Sequence, residues 1–177
     1  MPRSSVVNDN QLPLRDLYKQ NPDKAQIEDH AIARGDDPAD PFHSLVQPMP
    51  GTGGSLPVGV HRGVGGLHDA ATPGDILCAA LAACQDSTIR MVANLLGVEL
   101  ESLEVEVRGE VDLRGTLMVD KSVPVGFQKM HCDVRLKAKE GTKQELLDIL
   151  SSASQASCVV QQTLRQPPEI NTRFTME

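Results

Sequence analysis

The sequence contains very few aromatic residues: one Tyr, three Phe and no Trp among 177 residues. Many proteins that bind single-stranded nucleic acid stack its bases on such side chains, and phosphate binding needs clustered Lys and Arg. Here the 17 basic residues form no dense block, and the formal net charge is -7. We therefore expect no nucleic-acid partner and, for the same electrostatic reason, no anionic membrane partner.

Long apolar segments are also missing. The N-terminal region lacks the apolar stretch of a secretory signal, and the longest apolar run, 76–84, has nine residues, far below the roughly 20 that span a bilayer. These absences predict a soluble, cytoplasmic protein. In that reducing compartment, the four cysteines favour free thiols, metal ligands or redox chemistry over structural disulfides.

Motifs for several other chemistries are absent as well. The sequence has no H-E-x-x-H or C-x-x-C for zinc, no Gly-rich phosphate-binding motif, and no G-x-S-x-G for a nucleophilic serine. A zinc or iron site built from isolated Cys and His is therefore kept only as a third hypothesis, and no bound cofactor is predicted. Thiol chemistry is what remains.

The chain is predicted to form a polar N-terminal arm, residues 1–25, followed by one α+β domain, residues 26–177. The arm shows no sustained periodicity and has room for only a short helix at 12–19. Antiparallel strands are predicted in the domain, because short alternating runs are separated by turn residues. The expected elements are a hairpin from 26–34 and 42–47, a long loop or irregular strand at 48–75, a strand within 98–114 that continues through 115–119, a strand at 130–139, a Thr-capped helix at 141–156, a short helix at 158–166 and a last strand at 169–176.

One long helix is the most clearly marked element. Thr72 is a suitable N-cap, Pro73 needs no N–H partner at the first helical position, and Asp75 suits the positive end of the helix dipole. The helix should run to about Leu96, where Gly97 stops it. Its first half is apolar on every side, so we expect other elements to enclose it.

The four cysteines have different surroundings in these predicted elements. Cys84 lies in the middle of the long helix, and Cys158 opens a short helix, where unpaired N–H groups stabilise a thiolate. For both, the residue patterns alone leave open a packed core residue or a reactive thiol. Cys78 is rotated by about 240° from Cys84, so the two cannot bond within the helix. Cys132 is in phase with the apolar positions of its strand and is predicted to face the core.

Three segments resemble the OsmC/Ohr family of thiol-dependent hydroperoxide reductases: TPGDILCAALAACQDSTIRMVANLLGV, SASQASCVVQQTL and ELESLEVEVRGEVDLRGTL. The resemblance extends from about residue 26 to the end. Its most specific part is a Pro-led helix with L-x-A-A-x-A-A-C and a second Cys far downstream at the start of a short helix. Here these are Cys84 and Cys158, 74 residues apart. The resemblance implies an intertwined homodimer with antiparallel sheets around the central helices and a thiol site at the subunit interface.

The resemblance also implies a reaction. Cys84 would attack an organic hydroperoxide as a thiolate and become a sulfenic acid, Cys158 would convert this to a disulfide, and an external dithiol, of lipoyl type in this family, would reduce it. In the family an Arg after the first strand activates the thiolate, and Arg34 is its best positional match. A Glu ten residues before the Cys holds that Arg, but this chain has Gly74 there, followed by Asp75.

Two functions remain open from the sequence. Either Asp75 replaces the Glu at shorter reach and the protein is a Cys-based peroxidase, or the clamp is lost and Cys84 is a slow thiol. In the second case the alternative is a non-catalytic OsmC-like module that binds an apolar small molecule at the dimer interface.

Overall fold

The computed structural model describes residues 5–176. The elements in chain order are α1 (Val6–Gln20), β1 (Ala31–Arg34), β2 (Ser44–Pro48), β3 (Leu56–Val58), α2 (Pro73–Leu96), β4 (Leu100–Glu110), α3 (Leu113–Thr116), β5 (Lys129–Ala138), α4 (Gln144–Ser157) and α5 (Val159–Arg165). The chain divides into two compact units: 5–7, 80–105 and 134–176 form the first, and 8–79 and 106–133 form the second. The mixed α+β architecture agrees with the predicted fold class.

The N-terminal segment contains a longer helix than the one predicted at 12–19. Helix α1 begins at Val6 and includes Pro13 in its interior. Its start is fixed to the first unit, because the Ser5 hydroxyl and the Val7 N–H both donate to Asn94 Oδ1, at 2.9 and 3.1 Å. This contact joins residues far apart in the sequence, which local periodicity does not reveal.

The predicted hairpin is confirmed, although its first strand begins at residue 31 rather than 26. Strands β1 and β2 are antiparallel, with Arg34 opposite Leu45, and β3 pairs with the other edge of β2. The intervening turn is held by Asp37 and Asp40, whose carboxylates accept the N–H of residues 39 and 42, both at 2.8 Å. The short strand β3 is the irregular strand predicted within 48–75.

Helix α2 has the predicted bounds because its two ends carry strong local signals. At the start, Thr72 and Asp75 cap each other: the Thr72 N–H and hydroxyl donate to Asp75 Oδ2 at 2.9 and 2.7 Å, and the Asp75 N–H donates to Thr72 Oγ1 at 3.2 Å. At the end, Gly97 adopts a left-handed conformation with φ 69°, which favours glycine.

The expected enclosure of the first half of α2 is not found within a single chain. Leu81 is buried there, whereas Leu77 is 36% exposed and the alanines at 79, 80 and 83 are exposed as well. The second half is better covered, and its exposed side carries the ion pair of Arg90 with Asp86, at 2.8 Å. An apolar helix surface is therefore left at the N-terminal half.

Strands β4 and β5 form an antiparallel pair, as predicted. The Gln128 N–H donates to the Glu110 carbonyl and the Lys139 N–H donates to the Glu99 carbonyl, both at 2.9 Å, at opposite ends of the pair. Cross-strand ion pairs follow the exposed face: Glu99–Lys139, Glu101–Lys137, Glu104–Arg135, Arg108–Asp133 and Glu110–His131. The alternation of charged and apolar residues fixes which face is exposed.

Two predicted strand segments are wrong. The residues at 115–119 do not continue the sheet, because Asp112 caps the short helix α3 by accepting the Arg114 N–H at 3.0 Å. The Arg114 guanidinium also binds Asp112 and lowers the pKa of this carboxyl to about 2. The residues at 169–176 pair with no strand within the described residues 5–176, and Ile170 and Phe174 are exposed.

The core of the first unit lies between α2 and α4. Leu150 of α4 is fully buried and belongs to one cluster with Ile89, Ala93 and Val98. The predicted Thr cap of α4 is wrong, because the Thr142 hydroxyl donates to a main-chain carbonyl at 2.6 Å and α4 begins at residue 144. Cys158 lies between the last residue of α4 and the first residue of α5, which agrees with the short helix predicted to open there.

Candidate thiol site

Cys158 lies at the junction of α4 and α5 and is 0% exposed. Its N–H donates to the Ser154 carbonyl at 3.1 Å, which ends α4, and its carbonyl accepts the Gln162 N–H at 2.9 Å, which begins α5. The first N–H groups of a helix have no partner within that helix. At α5 these are the N–H groups of Val159 and Val160, and they are available to a neighbouring acceptor.

That acceptor is the sulfur of Cys84, from the middle of α2. Burial raises the pKa of the Cys84 thiol, but four donors act against it: the Val160 N–H, the Cys158 thiol, the Thr88 hydroxyl and the Val159 N–H. Together they outweigh burial and lower the pKa below its ordinary value. Near neutral pH, a larger fraction of Cys84 than of an ordinary cysteine is therefore in the nucleophilic thiolate form.

Cys78 and Cys132 differ from Cys84 in this respect. Burial raises the pKa of Cys78, as does the charge of Asp75, and burial together with Asp133 raises the pKa of Cys132. None of the four cysteines forms a disulfide. The structure thus brings Cys84 and Cys158 together within the first unit, whereas Cys78 and Cys132 are half-buried residues of the second unit.

Arg34 and Asp75 were the two further residues predicted for the site. Arg34 is the exposed last residue of β1 and belongs to the second unit. Asp75 uses its Oδ2 atom in the cap of α2, and the N–H and hydroxyl of Thr72 lower the pKa of its carboxyl. The cap accounts for the position of Asp75, and catalytic roles for both residues stay predictions.

The position of the missing carboxylate is covered by an aromatic ring. A Cβ placed on Gly74 would lie 3.2 Å from Phe127 Cζ, and one placed on Gly109 would lie 2.5 Å from Phe127 Cε1. The two glycines thus form a slot for the half-buried ring of Phe127. Where the OsmC/Ohr pattern has a Glu side chain, this protein has a phenyl ring over the first turn of α2.

Several residues around the thiols were missed by the sequence analysis. Thr88 is the clearest, because it lies four residues after Cys84 and residues at that spacing are neighbours on a helix. Gln85 and Ser154 are 3% and 1% exposed, and Gln85 Oε1 and Ser154 Oγ have no hydrogen-bond partner within the described chain. No local motif marks these two positions.

The described residues 5–176 contain no cluster of three His, Cys, Asp or Glu side chains arranged for a metal ion. One group of titratable side chains in the second unit forms an ion-pair cluster. There, His43 Nδ1 lies 2.8 Å from Asp40 Oδ2, and His43 Nε2 lies 3.2 Å from both carboxylate oxygens of Asp69.

Comparison with known proteins shows the family. The model of the family described as OsmC-like protein matches residues 66–173, which include both α2 and the junction at Cys158. The chain belongs to the OsmC-like family. Comparison with curated protein sequences gives no match.

Solved structures of OsmC-like proteins share the fold. An OsmC-like protein from Mycoplasma pneumoniae has a TM-score of 0.64 and 11% identity, with 80% of this chain and 90% of that chain covered. An organic hydroperoxide resistance protein OsmC from Legionella pneumophila has a TM-score of 0.53 and 23% identity, with 79% and 90% covered. An organic hydroperoxide resistance protein from Elizabethkingia anophelis has a TM-score of 0.57 and 18% identity, with 80% of this chain and 91% of that chain covered. The TM-scores show a common fold, and at these identities the likeness shows the fold alone.

Family membership also bears on the apolar character of α2. By length and composition alone this helix is apolar enough to cross a membrane, with 28% of its most apolar window buried. Core helices of soluble proteins pass the same test. OsmC-like proteins are soluble, and we interpret α2 as the core helix of this fold.

Proposed function

We propose that this OsmC-like protein reduces organic hydroperoxides, with Cys84 as the peroxidatic thiolate and Cys158 as the resolving thiol. One observation carries the proposal: the Cys84 sulfur lies beside the Cys158 thiol, and the pKa of Cys84 is below its ordinary value. The names of the Legionella and Elizabethkingia proteins, which describe organic hydroperoxide resistance, support the substrate class.

The proposed reaction has three steps. The Cys84 thiolate attacks one oxygen of the hydroperoxide, the O–O bond breaks, and the alkoxide leaves as an alcohol after taking up a proton. The Cys158 sulfur then attacks the Cys84 sulfenic acid, water leaves, and a disulfide forms. An external dithiol of lipoyl type supplies two electrons and restores both thiols. The cycle needs no bound cofactor, and its reduced thiols suit the cytoplasm.

In this proposal, activation of Cys84 does not depend on the missing Glu. Hydrogen bonds from main-chain N–H groups to an anion are charge-assisted and stronger than neutral ones. Val159 and Val160 supply two of them, and the Cys158 thiol adds a third donor. A guanidinium such as that of Arg34 would lower the pKa of Cys84 further, but these donors already lower it below its ordinary value.

A homodimer is part of the proposal. The apolar surface around Leu77 at the first half of α2 is only partly covered within one chain, and contiguous exposed apolar patches commonly mark interfaces. A second copy of the chain is the partner that the OsmC/Ohr resemblance implies. Light scattering after gel filtration should give twice the 19.1 kDa mass of one chain, and a monomer would contradict this part of the proposal.

The activity is tested with purified wild type, Cys84→Ser and Cys158→Ser, using cumene hydroperoxide and dihydrolipoamide. Wild type should consume peroxide over many turnovers, and Cys84→Ser should not. Cys158→Ser should form one sulfenic acid per chain and then stop, detectable by dimedone labelling. Cys78→Ala is the matched control and should turn over like wild type. Equal consumption by wild type and Cys84→Ser would rule out the proposed function.

One observation favours the second candidate function, an OsmC-like module that binds an apolar small molecule. Phe127 over Gly74 gives the start of α2 an apolar surface where the OsmC/Ohr pattern has a carboxylate. Native mass spectrometry of the purified protein decides between the two. A retained apolar ligand with an unreactive Cys84 would favour the binding module, and rapid sulfenic acid formation without a ligand would favour the peroxidase.

A further inference from the structure

The hydroxyl of Thr88 faces two acceptors that belong to the same residue. Thr88 lies one turn after Cys84 on α2 and is 4% exposed. Its Oγ1 donates to the Cys84 carbonyl oxygen at 2.7 Å and also lies within hydrogen-bonding reach of the Cys84 sulfur. Helical side chains lean toward the N-terminus, which places this hydroxyl over the turn that carries the thiol. In this structure the hydroxyl proton is donated to the carbonyl, and the sulfur is the second acceptor near it.

The bond to the carbonyl is the dispensable one. In an α-helix the Cys84 carbonyl also accepts the main-chain N–H four residues later, which is that of Thr88 itself. A threonine in a helix has two accessible χ1 rotamers, so its hydroxyl is able to change acceptor. An ionised sulfur is the stronger acceptor, because hydrogen bonds to charged groups are roughly twice as strong as neutral ones.

We propose that Thr88 is a positioning residue for the thiol reaction: its hydroxyl moves from the Cys84 carbonyl to the Cys84 sulfur when the thiol ionises, and so holds the thiolate in place. The proposal rests on the proposed peroxidase function for the reaction that it serves. It assigns a role to a buried hydroxyl on the helix face that also buries Leu81, Gln85 and Ile89. It also gives the thiolate one donor from its own helix, in addition to those from the Cys158 junction.

Removing this donor has two opposite effects on the reactivity of Cys84. The pKa rises, so fewer sulfurs are ionised at a given pH, but each remaining thiolate is more nucleophilic, with a Brønsted slope of about 0.4–0.5. For a tenfold loss of thiolate at low pH, each remaining thiolate becomes only about threefold more reactive. The rate should therefore fall about threefold well below the pKa and rise about threefold well above it.

The test measures iodoacetamide alkylation of Cys84 from pH 5 to pH 10, followed by peptide mass spectrometry. The variants are Thr88→Val, which removes the hydroxyl, Thr88→Ser, which keeps it, and Ser87→Ala, a control at the exposed neighbouring position. The Thr88→Val curve should cross the wild-type curve, and the other two should follow wild type. A Thr88→Val curve that coincides with wild type, or is displaced by the same factor at every pH, would overturn the proposal.

Thr88→Ala keeps the test decisive if Thr88→Val folds poorly, because it removes the hydroxyl without adding a methyl group, and its curve must cross in the same way. Alkylation needs neither peroxide nor reductant, so the two proposals fail separately. A crossing in a protein that never reduces cumene hydroperoxide refutes the peroxidase and supports the Thr88 contact. No crossing in an active peroxidase refutes the role of Thr88 alone.

Discussion

Gly109→Ala is expected to destabilise the protein because the ring of Phe127 occupies the space of the new methyl group. In a strand this change usually helps, since Gly costs roughly 0.5–1 kcal/mol relative to Ala. Here the added Cβ would lie 2.5 Å from Phe127 Cε1 and 2.8 Å from Cδ1, well inside the roughly 3.5–4.0 Å of a favourable carbon contact. The ring has to move for the methyl group to fit.

The magnitude follows from the two distances. Overpacking of this kind costs about 1–3 kcal/mol, and Gly109→Ala should lie in that range. Gly74→Ala should cost less, because its Cβ would lie 3.2 Å from Phe127 Cζ. In a Phe127→Ala background the clash disappears, so Gly109→Ala should become neutral or stabilising. The coupling between positions 109 and 127 should therefore be about 2 kcal/mol.

Urea denaturation of the four proteins in this cycle, at one fixed protein concentration, measures the coupling through the free energy of unfolding. Wild type, both single variants and the double variant need equal m values for the comparison. A Gly109→Ala protein as stable as wild type would refute the reasoning, as would a cost that persists without the ring. A second cycle, with Gly74→Ala in place of Gly109→Ala, tests whether Phe127 covers the position at Gly74.

Two further predictions concern the core and the pH dependence. Leu150→Ala should lower the free energy of unfolding by about 2–5 kcal/mol, because a fully buried leucine leaves a cavity; a loss below about 1 kcal/mol in urea denaturation would contradict its central place in the core. Hydrogen bonds to Asp40 and Asp69 raise the pKa of His43 above 6.5. This contribution to stability should be full below pH 6.5 and should be lost as the pH rises through the folded-state pKa, because the neutral ring has only one N–H to donate. NMR titration of the ring should show the raised pKa, and His43→Gln should remove this part of the pH dependence; a pKa of 6.5 or lower would contradict the ion-pair geometry.

The sequence predicted correctly those elements whose ends or exposed faces are marked by local residue patterns. Thr72, Pro73 and Gly97 define the ends of α2, and alternation of charged and apolar residues defines β4 and β5. The segment at 115–119 was misassigned because its apolar run suited a strand, whereas the side chain of Asp112 caps a helix there. The cap at Asp112 and its contacts with Arg114 therefore favour a helical turn in a segment whose composition allowed both.

The candidate site was less accessible from the sequence, because its parts come from distant segments. The residues alone left the roles of Cys84 and Cys158 open, and their pairing was inferred from the family resemblance. The donors at Val159 and Val160 act through the main chain, so their side chains carry no signal. Phe127 reaches Gly74 from a loop more than 50 residues away, and no periodic pattern predicts that contact.

The junction at Cys158 has a consequence for damaged or partly unfolded molecules. The donors of Val159 and Val160, which favour ionisation of Cys84, directly follow the thiol proposed to resolve its sulfenic acid. A molecule in which this segment detaches loses both contributions at once. Its Cys84 becomes a less ionised and slower thiol at the moment when no resolving partner is in reach. Loss of this segment would therefore slow the oxidation of Cys84 near neutral pH and, at the same time, leave any sulfenic acid that still forms without its resolving thiol.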